Sequence, residues 1–264
     1  MIWKTREATM LLAIDVGNSN IKVGLHRDGA WEHHFRVQTN SEKTPDEYAL
    51  LFKHLLLDEG VRREDINRAA ISSVVPPLTG TLKEMLVENF GLKPLVLGPG
   101  VKTGMSIRTD NPAEVGSDLV ANAAAAYHRI KGACVVVAFG TAITFTGVSA
   151  KGEMTGVAIA PGLNSAAESL FRKTAQLRLV DLTPPATVGG TNTIHSIQAG
   201  ILHGYVGLVE HLTRRMIEEI GGSAEVICTG EQARILQPLT GLLDDFEPWL
   251  TLEGLRIIAE KNLS

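Results

Sequence analysis

The sequence is poor in sulfur and in aromatic rings, and it has no long stretch of a single character. Only two cysteines, Cys134 and Cys228, occur in 264 residues. Both sit inside apolar runs, which points to buried free thiols in a reducing compartment, and with no pair of histidines nearby they offer no zinc site. No run approaches about eighteen consecutive apolar residues, so a membrane-spanning helix is not expected. The formal net charge is -4 and there is no Lys/Arg run with interleaved aromatics, so nothing draws the chain toward nucleic acid. The strongest basic pair, Arg214-Arg215, is followed by Glu218 and Glu219 and reads as a solvated helix face. Low-complexity tracts are absent. The opening Met1 to Thr9 lacks the apolar segment of a signal peptide. It reads as a short extension before a strand near Met10, which could itself be an alternative start. A cytoplasmic protein is expected.

What is present is an ordinary globular composition, 44% hydrophobic and 20% charged, on a chain long enough for two compact domains. Two stretches read as versions of one device. Leu11 to Gly24 (LLAIDVGNSNIKVG) lines up with Cys134 to Gly147 (CVVVAFGTAITFTG). Each is an apolar run, then a glycine with small polar residues, then a second apolar run. This is a strand, a tight turn and a returning strand. Gly17 and Gly140 would let backbone N–H groups approach a ligand, and successive N–H groups in such a turn form an anion nest. Two such hairpins suggest a duplicated domain gripping a nucleotide phosphate tail between its copies. The copies differ at one telling position, where Asp15 in the first is Ala138 in the second.

The rest of the chain alternates. Ala30 to Val37 suggests a third antiparallel strand, and Ser41 to Glu59 a helix started by Thr44-Pro45-Asp46-Glu47, with a cap, a proline in the first turn and two acids. A short strand over Ala69 to Val75, a helix over Leu78 to Asn89 and a brief strand over Leu95 to Leu97 follow. Thr103 to Asp118 reads as a polar loop opening a helix from Ser117 to Ile130. The pattern then restarts: hairpin, strand Glu153 to Ala160, a helix from Asn164 to about Ala175, and a Thr/Pro-rich linker. A long helix over Ile194 to Ile220, a strand over Glu225 to Cys228, a helix opened by Gly230 and a final helix over Leu250 to Lys261 complete it. This is an α/β fold of two similar halves, residues 10–128 and 129–264. His33-His34 reads as an exposed strand pair. His195, His203 and His211 lack acidic or cysteine partners at ligand spacing and read as helix surface or interface.

These residues resemble the type III pantothenate kinase family, also labelled the Bvg accessory factor family. Asp15 to Asn20 (DVGNSN) resembles its first phosphate loop, and Asn111 to Leu119 (NPAEVGSDL) its N-P-x-E-V-G-A-D-R segment. Phe139-Gly140-Thr141-Ala142 resembles its second phosphate loop, and Ala160-Pro161-Gly162, Gly190 to Thr193 and Gly200 to Val209 match further signatures. One such motif would be weak; the set in order is strong. The resemblance implies two ribonuclease H-like (actin-like ATPase) domains, each a mixed five-stranded sheet flanked by helices. It also implies transfer of the ATP γ-phosphate to the primary hydroxyl of pantothenate in coenzyme A biosynthesis. Members are dimers, so a homodimer, or a heteromer with a related subunit, is expected.

Carried onto this chain, the resemblance implies Asp118 as catalytic base and Asp15 as the Mg²⁺ carboxylate. It implies Gly17, Asn18, Ser19, Asn20, Lys22, Gly140 and Thr141 around the ATP phosphates, and Gly230 at the adenosine side. Gly116, Asp118 and Thr193 would contact the substrate, Thr193 in the neighbouring subunit's site. Asp15 and Asp118 could instead be a turn acid and a helix N-terminal acid, and either threonine could be a cap. Four positions depart from the family pattern. Ala138 replaces the Asp that coordinates a monovalent cation, so the potassium site is expected to be lost. Thr146 replaces a second Asp, Leu119 the Arg after the catalytic acid, and Thr109 a Tyr near the substrate. Besides a working kinase, the departures are compatible with a catalytically degenerate subunit or regulator that keeps the fold. The family's association with transcriptional activation finds no support in the acidic charge.

Overall fold

The computed structural model describes residues 9–173 and 180–263. Two compact units emerge from its packing: one runs up to Gly104 and adds Asn111–Ala125 and the chain from Thr251 onward, and the other comprises Met105–Asp110 and Ala126–Leu250. The division expected at 128/129 lies close to one of these boundaries. The last helix, however, packs with the first unit, because its inward side chains meet the first sheet.

The first unit is built on β1 (Met10–Val16), β2 (Asn20–Arg27), β3 (Ala30–Gln38), β4 (Ile66–Ser73) and β5 (Leu95–Val96), in the spatial order β3-β2-β1-β4-β5. The hairpin β1–β2 and the pair β2–β3 are antiparallel, while β4 joins β1 in parallel. Strand alternation decides which residues meet which layer. Met10, Leu12, Ile14 and Val16 of β1, with Ile21, Val23 and Leu25 of β2, form one core with α1 (Pro45–Asp58) and α2 (Pro76–Phe90), where Tyr48, Phe52, Leu82 and Met85 are buried. Helix α1 begins at a full capping box: the Thr44 side chain accepts from the Glu47 N–H, and the Glu47 carboxylate accepts from the Thr44 N–H. The alternate residues of β1, among them Ala13 and Asp15, face the other way. On that side Leu252 of the final helix α7 (Leu250–Asn262) comes against Gly24 on β2, where a side chain would collide with Trp31. Between these elements runs α3 (Ser117–Ile130).

The second unit repeats the plan. Its sheet is β7 (Cys134–Phe139), β8 (Ala142–Val148), β9 (Glu153–Pro161) and β10 (Glu225–Thr229), joined by the two-residue β6 (Ser106–Ile107), in the order β10-β7-β8-β9-β6. Val135, Val137, Phe139, Ile143 and Phe145 bury one face against α4 (Leu163–Lys173) and α5 (Thr193–Glu219). The stretch read as a polar loop therefore holds a short strand, β6, parallel to β9. The helix expected after Gly230 is shorter than its pattern suggested: α6 covers only Ala233–Leu236 before two 3₁₀ turns. The tail of the helix read to Ala175 lies outside the described residues. Both cysteines are buried, and burial pushes each thiol up to about 12. No helix among the described residues is long and apolar enough to cross a membrane.

Candidate active site

In the first unit, strand register assembles a polar row across the sheet. Asp15 at the end of β1 lies opposite Lys22 on β2, Lys22 lies opposite Arg36 on β3, and Ser72 on β4 is Asp15's parallel neighbour. Residues paired in register share a face, so the order Arg36, Lys22, Asp15, Ser72 sets two cations, an acid and a hydroxyl side by side. Asp15 is only 6% exposed and Ser72 is fully buried. The Asp15 carboxylate accepts hydrogen bonds from Ser72 and from Thr251 in the first turn of α7. Its pKa is nevertheless raised to about 6, chiefly by burial and further by the negative charge of Asp118, against the opposing pull of Lys22 and the two hydroxyls.

Asp118 sits one residue into α3. Its carboxylate turns back onto the helix start, accepting from the backbone N–H groups of Asp118 and Leu119. A Cβ on Gly116 would come within 2.6 Å of Asp118 Oδ1, so glycine leaves room for that acid. Burial raises the Asp118 pKa despite these bonds and Lys22. The helix start is tied to β4 by Ser117: its Oγ accepts from the Ser73 N–H at 2.9 Å and lies 3.0 Å from Ser72 Oγ and 3.2 Å from the Ser73 carbonyl oxygen, one of which takes its single proton. A continuous set of hydroxyls thus links Asp15, through Ser72 and Ser117, to the residue next to Asp118. Ahead of it Pro112–Glu114 forms one 3₁₀ turn capped by Asn111, whose Nδ2 donates to Glu114 Oε1 at 2.7 Å.

The first turn is braced from β3. Thr39 Oγ1 donates to the Gly17 carbonyl at 2.6 Å, and the Thr39 N–H donates to the Ser19 carbonyl at 3.0 Å. The Gly17 N–H donates to the Asn20 carbonyl at 3.0 Å. That amide closes the turn, which corrects the expectation that Gly17 would present its N–H to a ligand. The glycine is needed for a different reason, since a Cβ would sit 3.1 Å from the Asn20 carbonyl oxygen. Asn18, Ser19 and Asn20 are exposed at the tip.

The second unit holds the remaining residues. The Gly140 N–H likewise closes its own turn, donating to the Ala142 carbonyl at 2.9 Å. The Thr141 carbonyl accepts from the Gly162 N–H at 2.9 Å and from Ser165 Oγ at 2.8 Å, so the Pro161-Gly162 segment seats this turn. Gly230 follows β10 with φ +91°, and a side chain there would run into the Phe139 backbone. Thr193 is the exposed first residue of α5, but the cap is Asn192, whose side chain accepts from the His195 N–H. An open groove of about 890 Å³ includes Pro161, Ser165, Leu170, Asn192, Thr193 and Tyr205 in its walls. Ala138 and the buried Thr146 carry no charge into this unit's sheet, and Thr109 Oγ1 is buried without a partner. In the first unit Leu119 is 8% exposed and packs in the interior.

Among the described residues no cluster of three or more His, Cys, Asp or Glu could hold a metal by itself. The oxygen donors that do converge, the acids Asp15 and Asp118 with neighbouring hydroxyls, suit Mg²⁺, which takes one or two carboxylates and completes its shell with water and substrate phosphate. Sequence reasoning missed Ser72, Ser117 and Thr251. Ser72 lay in a run read only as a buried strand, and Thr251 in a helix that carried no motif. His33 and His34 are half-buried rather than exposed, with His33 Nδ1 3.1 Å from Glu59.

A profile of the type III pantothenate kinase family matches residues 11–215. Proteins named type III pantothenate kinase from Moorella thermoacetica and Geobacter sulfurreducens are each 46% identical to this chain over 253 residues, covering 96% of it and 100% and 99% of their own lengths. A relative of the same name from Roseiflexus sp. is 45% identical over 255 residues, covering 97% of this chain and all of its own length. Among solved structures, a Baf family protein from Campylobacter jejuni superposes with a TM-score of 0.58 at 17% identity, covering 96% of this chain and 98% of its own. A Sinorhizobium meliloti protein assigned as a 2-dehydro-3-deoxygalactonokinase gives 0.56 at 12%, each chain covered to 96%. At those identities the two structures speak for the fold alone.

Proposed function

The chain belongs to the type III pantothenate kinase family, and we propose on that premise that it transfers the γ-phosphate of ATP to the primary hydroxyl of pantothenate. The observation that carries the reading at the level of residues is the pairing of the buried Asp15 with the half-buried Asp118, beside Lys22. Phosphoryl transfer asks for alignment and charge neutralisation, with a group to receive the hydroxyl proton. Asp118 receives it: the substrate oxygen forms a bond to the γ-phosphorus, the bond from phosphorus to the ADP oxygen breaks, and the proton moves to the Asp118 carboxylate. Burial raises the Asp118 pKa, which makes it a stronger base than an ordinary carboxylate. Asp15 would hold Mg²⁺, which would supply neutralisation of phosphate charge. Asn18, Ser19, Asn20 and Lys22 donate to phosphate oxygens; Thr141, the Gly140 turn and Gly230 are the second unit's own candidates for nucleotide contacts. Gly116 keeps space for the substrate beside Asp118.

Turnover is independent of potassium in this reading, because Ala138 and Thr146 stand where family members carry acids. The enzyme works as a cytoplasmic dimer in which Thr193 reaches the neighbour's substrate. Two large exposed side chains of the second unit, Ile159 at 69% and Ile194 at 52% exposure, support an apolar contact there.

The deciding experiment is an ATP-dependent assay on purified protein with pantothenate, in sodium and in potassium buffers, beside Asp118→Asn. Equal turnover in both buffers, lost in the variant by a factor of about 10²–10⁴, supports the reading. No phosphorylation of pantothenate by the wild-type protein overturns it, and strong activation by potassium overturns the reading of Ala138.

A further inference from the structure

We propose that the first turn of the C-terminal helix α7 sets the placement of the two site carboxylates, with Thr251 as a positioning residue for Asp15. Four consecutive residues of that turn engage four different elements of the first unit. Thr251, 3% exposed, donates its hydroxyl to the Asp15 carboxylate on β1. Leu252, fully buried, comes against Gly24 on β2. Glu253 accepts a hydrogen bond from Trp31 Nε1 on β3 at 3.0 Å. Gly254 meets α3 so closely that a Cβ would run into the Ala121 carbonyl, three residues after Asp118. Arg256 then grips Glu253 and Glu260 on its own helix, with Nε 3.0 Å from Glu253 Oε2 and Nη1 2.6 Å from Glu260 Oε1.

A helical turn is a stiff spacer, because its backbone is fully hydrogen-bonded. One end of this turn holds the acid of β1, and the other presses on the helix that carries Asp118. The separation of Asp15 and Asp118 is therefore fixed by residues 251–254. Groups that orient a metal-binding carboxylate through hydrogen bonds are worth about 10- to 100-fold in metal affinity, and Thr251 is such a group for Asp15.

The inference rests on the reading of Asp15 as the metal carboxylate, and its test does not need the phosphate acceptor. Thr251→Val keeps the shape and removes the hydroxyl, whereas Thr251→Ser keeps the hydroxyl. Mn²⁺ binding would be titrated by electron paramagnetic resonance with a non-hydrolysable ATP analogue and no pantothenate, and melting temperatures would be recorded for each protein. Thr251→Val is expected to weaken Mn²⁺ binding about 10-fold, with Thr251→Ser within about twofold of wild type. In turnover assays Thr251→Val should raise the Mg²⁺ needed for half-maximal rate by a similar factor and leave KM for pantothenate within about twofold. Wild-type Mn²⁺ binding by Thr251→Val, or equal losses in the two variants, overturns the proposal. Wild-type protein that fails to phosphorylate pantothenate while the Val/Ser contrast in Mn²⁺ binding persists overturns the substrate assignment and supports the role of Thr251.

Discussion

Replacing Asp15 with asparagine should stabilise the metal-free protein at neutral pH while removing its metal site. In the folded chain burial raises the Asp15 pKa to about 6, well above that of an ordinary aspartate. A folded pKa above the unfolded one means that the folded state holds the proton more tightly. The associated stability is complete below the unfolded value and is lost as pH rises through the folded value. Between about pH 4.5 and about pH 7.5 that loss amounts to about 2 kcal/mol for a shift of this size. Asparagine keeps the shape and has no charge to bury, so it escapes the loss. In EDTA, the difference in melting temperature between Asp15→Asn and wild type should move in favour of the variant by about 4–8 °C on going from the lower pH to the higher. Taking the difference between proteins at each pH cancels the titrating groups that are not coupled to Asp15. Addition of Mg²⁺ with ATP should then raise the wild-type melting temperature and leave that of the variant nearly unmoved. A melting difference that is the same at both pH values would refute the argument, because it would mean that Asp15 is not ionised against burial in the folded state.

Four further outcomes follow from the same packing. Gly254→Ala should destabilise the protein by about 2–4 kcal/mol, read by urea unfolding, because the new methyl meets a backbone carbonyl on α3 that cannot move without the helix. Ser117→Ala removes the hydroxyl that joins Ser72 and the Ser73 backbone to the start of α3, and it should cost about 1–3 kcal/mol of stability in a urea titration and lower kcat more than KM. Ala138→Asp should be tolerated to within a few °C by differential scanning fluorimetry, since Thr229 next to it in register carries a buried hydroxyl with no partner; Ala13→Asp, fully buried beside Ala70 and Gly24, should unfold the first unit.

The two hairpins, the proline-started helix α1 and the long helix α5 could be read from the chain because each is set by local chemistry: apolar alternation, a capping box, a sustained helical period. Asp15 and Asp118 could be read because they sit inside motifs. Ser72 and Thr251 could not. Each is a small hydroxyl in an apolar stretch, and its importance comes from the strand register and helix crossing that bring it to Asp15, which are tertiary facts. β6 was invisible for a related reason, since two residues have no periodicity of their own and exist as a strand only through pairing with β9. The amides of Gly17 and Gly140 illustrate the converse: a glycine at a turn tip suggested an open donor, whereas the geometry of so tight a turn spends that donor on its own returning strand.

The duplication explains where the charge lies. The sheet orders β3-β2-β1-β4 and β9-β8-β7-β10 correspond strand for strand, and the fifth strand is added at opposite edges, β5 beside β4 and β6 beside β9. The polar row of the first unit, Arg36, Lys22, Asp15 and Ser72, then has a counterpart made of Ile159, Thr144, Ala138 and Thr229. Charge has been exchanged for neutral side chains at three of the four places, and a hydroxyl remains at the fourth. In the first unit the Ser72 hydroxyl has a carboxylate to bind; in the second the equivalent Thr229 hydroxyl faces alanine and is left buried without a partner. A buried hydroxyl with no partner costs about 1–3 kcal/mol, so an arrangement laid down for alanine at 138 would favour an apolar residue at 229. The threonine fits a strand pair built around an acid at both turns, of which this chain keeps the one at Asp15. Whatever the second turn contributes to a bound nucleotide must come from backbone and hydroxyl groups, and the carboxylate chemistry is concentrated in the first unit.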